Sequence, residues 1–127
     1  MLLAPTRPYR VGRPYWRRGR GTLEIPVQVT RGLRLPFIGT TVTLAGPTRA
    51  RWLARMCAGE PLVNLELHGI DVLDAGDGLE ALRPHQRDVR VPWQDKVEAL
   101  HGAVAELRER GHRFVTMAEA ARRVAAD

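Results

Sequence analysis

The chain has 127 residues, 44% hydrophobic and 27% charged, which suits one domain burying roughly two-thirds of its unfolded surface. No run of about eighteen apolar residues is present, which excludes a transmembrane helix, and the single cysteine, Cys57, excludes an internal disulfide and any multi-cysteine metal site. The formal charge is +6, carried by an unusual excess of Arg over the one Lys; nucleotide bias in a genome produces such an excess as readily as function does, so charge alone assigns no partner.

Residues 1–22 form a leading basic segment. Its start, MLLAPTRPYR, lacks the basic-then-apolar order of a secretory signal, and the expected location is cytoplasmic. Residues 4–21 mix Pro, Gly, Arg and aromatic side chains without an apolar period, so they are expected to be extended or looped. LEIPVQV (23–29) is rich in β-branched residues, with Pro26 favouring an edge strand. RGLRLPFIG reads as loop and TTVTLAG as a short strand.

PTRARWLARMCAG (47–59) predicts a helix, with Pro47 in its first turn and Gly59 at its end. Trp52, Leu53, Met56 and Cys57 share one side, where Cys57 is expected to be a buried, inert thiol. PLVNLELH (61–68) is nearly continuous in apolar residues, as a buried parallel strand should be. Residues 69–92 carry Gly, Asp and Pro punctuation around a short helical turn at LEAL.

The clearest helix is 93–110, where Val97, Leu100, Val104 and Leu107 make a stripe and Gly111 terminates it. HRFV predicts a short strand. Thr116 with Glu119 forms a capping-box pattern ahead of a last helix, MAEAARRVAA. Strand, helix, strand, helix, strand, helix implies an α/β unit with a parallel sheet.

His68 ends the 61–68 run, and strands of α/β folds present their carboxyl ends to the ligand crevice. An imidazole there can give or take a proton; the alternative is a core-edge histidine bonded to a neighbouring carbonyl. Asp71 and Asp74 either orient His68 and bind substrate hydroxyls or cap their own loops. His101 lies on the strong helix, as a surface or boundary residue.

LELH at 65–68 resembles the late Leu-x-x-His motif of the polysaccharide deacetylases, the family that includes the nodulation-type chitooligosaccharide deacetylases. APTRPY, LEIPV, LHGID and FVTMAEA follow the order of parts in the carboxyl-terminal half of that family's domain, and the resemblance covers 23–127 and the segment before it. It implies a partial (β/α) barrel, the later half of a distorted deacetylase-type barrel. It also implies metal-dependent hydrolysis of N-acetyl groups on carbohydrate, with a divalent metal such as zinc activating water. By the same resemblance His68 is the general acid, Asp71 its neighbour in the site, and Arg7 and Tyr9 the wall of the substrate groove.

The chain departs from that family in its metal ligands. It has no Asp-Asp pair, and His68, His85, His101 and His112 offer no His-x-x-x-His. No metal is therefore expected to be held by this chain alone, and a lone imidazole cannot generate hydroxide at neutral pH. The expectation is a truncated product, inactive by itself, whose half barrel exposes a strand edge open to self-association. The rival reading is a small basic module without catalysis. RPYRVGRPYWRRGR interleaves Arg with Tyr and Trp, a composition that grips glycans or single-stranded nucleic acid, with nucleic acid the less favoured partner.

Overall fold

The computed structural model describes residues 4–126. Its centre is a pair of helices, α1 (Gly39–Cys57) and α2 (Trp93–Glu109), which make the largest contact between elements. α1 is broken at Gly46, whose φ of 75° and ψ of 168° are open to glycine and strained for other residues. Pro47 restarts the helix there, since a residue in a first turn has no intrahelical use for its N–H. The β-branched run TTVTLAG thus folds as the first half of α1, with Val42 and Thr43 buried.

Small side chains let the two helices approach. Ala50 and Ala54 of α1 and Ala99 and Ala103 of α2 are all fully buried, joined by Phe37, Val42, Leu53 and Cys57. The buried face of α2 is Lys96, Ala99, Ala103 and Glu106, one position behind the aliphatic stripe read from sequence. Val97 of that stripe is 41% exposed, while Leu100 and Leu107 only flank the core. Bulk marks the rim here, and alanine marks the seam.

α3 (Met117–Ala126) starts as its capping pattern predicts, the Glu119 N–H donating to Thr116 Oγ1 at 3.1 Å. Between Gly69 and Arg90 the chain makes four short 3-10 turns, at Gly69–Asp71, Ala75–Asp77, Glu80–Leu82 and Asp88–Arg90.

The sheet is where expectation fails. The described residues contain one two-stranded antiparallel hairpin, β1 (Tyr9–Val11) with β2 (Arg18–Glu24), and no parallel sheet or partial (β/α) barrel. LEIPVQV is strand only to Glu24, and HRFV is irregular. PLVNLELH runs without ladder partners except for one parallel bridge, Ile38 to Glu66. A parallel strand exists only beside another strand, and its apolar sequence here packs instead beneath α1, through Val63 and Leu65. The open barrel edge expected to mediate self-association is accordingly absent from the described residues.

Candidate functional site

His68 sits where the 61–68 segment meets the start of α1. The Gly39 N–H donates to the Glu66 carbonyl at 2.8 Å, next to the Ile38–Glu66 bridge. His68 itself is extended and precedes the Gly69–Asp71 turn. Its N–H donates to Asp71 Oδ2 at 2.7 Å, and the Asp71 N–H returns a bond to the His68 carbonyl at 3.0 Å. A reciprocal pair of this kind fixes the backbone on both sides of the imidazole.

Asp71 is fully buried. Its other oxygen accepts from Thr40 Oγ1 at 3.1 Å, and its carboxylate lies so close to Gly39 that no Cβ fits there. A negative group against the first turn of α1 complements the positive end of the helix, which has no acid of its own there. On the far side of the loop, the fully buried Lys96 ammonium donates to the Ile70 carbonyl at 2.8 Å and to the Leu73 carbonyl. The loop carrying His68 is held from α1 by a carboxylate and from α2 by an ammonium.

The imidazole points out of this clamp. Its side chain is 63% exposed, with Nε2 3.8 Å from Glu66 Oε1 and Nδ1 3.9 Å from Asp71 Oδ2. Those are ion-pair separations, too long for hydrogen bonds. A ring so placed can pass a proton to or from a group arriving from solvent.

The remaining expected site residues do not line a site with the His68 ring. Asp71 is closed to substrate by its burial and acts on the backbone of His68. Asp74 caps, accepting from the Gly76 N–H at 2.7 Å and from the Trp93 N–H, at the start of α2, at 2.8 Å. Arg7 pairs with Glu60 at 2.7 Å, beyond the carboxyl end of α1 and so at the opposite end of that helix from His68. Tyr9 is buried, and its hydroxyl donates to the Tyr15 carbonyl at 3.1 Å inside the hairpin. Neither is brought to His68.

The donor set does not fit the metal that the family resemblance implies. Among the described residues no three His, Cys, Asp or Glu side chains converge. His112 is spent on the Ala58 carbonyl at 3.0 Å, and both Asp71 oxygens already accept hydrogen bonds. Cys57 lies in the core, where burial, with help from Glu60, pushes its thiol up to about 12.

Two residues of the clamp escape a reading of the sequence, Thr40 and Lys96. Lys96 alone carries a signal, being the one lysine in a chain that otherwise uses arginine. No family model, curated protein or solved structure matches the chain.

Proposed function

We propose that this chain supplies the proton-donating part of a hydrolytic site acting on N-acetyl groups of carbohydrate, with His68 as the general acid. The observation that carries the reading is the contrast at that residue: a backbone clamped by buried Asp71, and a ring standing in solvent. The Leu65-Glu66-Leu67-His68 motif supports the same reading. In the reaction, water adds to the amide carbonyl and the carbon–nitrogen bond breaks. The base that activates the water takes one of its protons, and the imidazolium gives its own proton to the departing nitrogen. The products are amine, acetic acid (which ionises to acetate in solvent) and neutral imidazole.

A general acid alone contributes only part of such a rate, typically about 10²–10⁴-fold. Activation of the water comes, in this reading, from groups on another segment or polypeptide, and residues 4–126 do not turn over substrate by themselves. Acetate release from a chitooligosaccharide, assayed with added zinc, is expected to stay at background; release above it would overturn that claim. Titration with N-acetylchitotetraose followed by NMR is expected to move the His68 ring resonances. If those resonances stay fixed at saturating sugar, the site assignment is wrong.

A further inference from the structure

Residues 4–23 hold six of the chain's 20 Lys and Arg and no Asp or Glu, so the remaining fourteen bases face all 14 acids. The whole formal charge of +6 therefore resides in the hairpin segment, and the rest of the chain is balanced. Of the six, Arg7 is paired with Glu60. Arg10, Arg13, Arg17, Arg18 and Arg20 make no ion pair among the described residues.

The hairpin is built to hold this charge in one shape. A Cβ at Gly12, Gly19 or Gly21 would run into the backbone of the opposite strand, so these positions set a close approach that other residues cannot reproduce. The Gly12 N–H donates to the Arg17 carbonyl at 2.7 Å and the Arg17 N–H to the Pro14 carbonyl at 2.9 Å. Tyr9 anchors the turn from below through the Tyr15 carbonyl. Above it stand Tyr15, 69% exposed, and Trp16, 41% exposed, while Arg13 and Arg20 border an open groove with Thr22.

We propose that this hairpin is the docking surface for an acidic, N-acetylated polysaccharide, its uronate carboxylates received by the arginines and a pyranose face by the exposed aromatic pair. The inference rests on the carbohydrate reading of His68 and names the class of chain that would present the N-acetyl group. Guanidinium forks match carboxylates with two parallel hydrogen bonds, and an already ordered turn loses little entropy on binding. The aromatic geometry favours sugar over nucleic acid. Tyr15 and Trp16 stand edge to face, at 85° with centroids 4.9 Å apart, and so present one platform. Single-strand binders instead lay successive bases on successive rings.

The test measures affinity of the full chain for a hyaluronan octasaccharide, which alternates glucuronate with N-acetylglucosamine. The comparison ligands are the same sugar with its carboxylates reduced to alcohols, its de-N-acetylated form, a neutral N-acetylchitooligosaccharide and an oligo(dT) of equal charge. The acidic sugar is expected to bind at least about tenfold tighter than the carboxyl-reduced one, since charge-assisted bonds are roughly twice as strong as neutral ones. The Arg17→Ala, Arg18→Ala, Arg20→Ala triple variant should lose that advantage with an unchanged circular dichroism spectrum. Should the triple variant unfold, single Arg17→Ala and Arg20→Ala variants are expected to show the same loss in smaller steps.

Equal affinity for the acidic and carboxyl-reduced sugars overturns the inference, and so does oligo(dT) binding as tightly as hyaluronan. If the neutral sugar moves the His68 resonances while no acidic preference appears, the hairpin proposal falls and the His68 reading stands. If the de-N-acetylated sugar binds through the arginines as well as hyaluronan does and no sugar moves His68, the surface stands and the His68 reading falls.

Discussion

The carboxylate of Asp71 fills the space that a side chain at Gly39 would need. One contact thereby joins the start of α1 to the loop that carries His68, across 32 residues of sequence. It also explains why a glycine stands at a helix position whose backbone does not require one.

Gly39→Ala forces either α1 or the buried carboxylate to move. Overpacking of this kind costs about 1–3 kcal/mol, and the displaced Asp71 would release both Thr40 and the His68 N–H. Urea unfolding should show a lower midpoint, and amide exchange at His68 should accelerate. An unchanged midpoint would mean that the contact is looser than the geometry states.

Lys96→Met keeps the length of the buried side chain and removes its donors. The carbonyls of Ile70 and Leu73 lose their partner, at a cost of about 1–3 kcal/mol for unsatisfied buried acceptors. Removing a buried charge works in the opposite direction. Because two acceptors are orphaned, the expected net effect is destabilisation, with the 69–74 loop exchanging faster than α2. Stability equal to or above the parent would show that desolvation of the ammonium outweighs its bonds.

Glu106 sets an acid limit. It is buried at the α1–α2 seam and accepts from Arg55, Arg110 and Arg51 at 2.8–3.3 Å. Hydrogen bonds from Arg55 and then Arg110 hold its carboxyl down at about 2 from an ordinary 4.5, against the upward push of burial. A lowered folded-state value means stability that is complete above pH 4.5 and is lost as pH falls toward 2. Urea midpoints measured from pH 5 downward should fall through this window, and Glu106→Gln should flatten the slope. A parallel slope in the variant would assign the acid sensitivity elsewhere.

Cys57 should be inert while the protein is folded. Its thiol is fully buried and raised to about 12, so thiolate is scarce at pH 8. A disulfide reagent is expected to react only after urea unfolds the chain. Rapid labelling of the native protein would place this side of α1 at the surface.

Local rules located α2 and α3 well but gave only the second half of α1, whose first half, TTVTLAG, read as a strand. Val97 to Leu107 carried the period of α2, Gly111 its end, and Thr116 the start of α3, because such signals act within a turn or two of chain. The face of α2 was misjudged by one position, since periodicity weighs large aliphatics, and helix approach at Ala99 and Ala103 depends on small ones. The strands were misjudged more deeply. LVNLEL and HRFV have strand composition, but strand character is completed by a neighbour, and the described residues offer only an isolated bridge at Glu66.

The sequence by itself determined where α2 and α3 form, that His68 and Asp71 stand three residues apart, and that the net charge is gathered in residues 4–23. Only the tertiary structure decided that Asp71 faces inward and His68 outward, that Lys96 closes the same loop, and that Arg7 and Tyr9 stay away from it. The reason is physical. Helix signals and charge content act along the chain, while the direction of a side chain is set by groups that become neighbours only when α1 and α2 close on the loop between them.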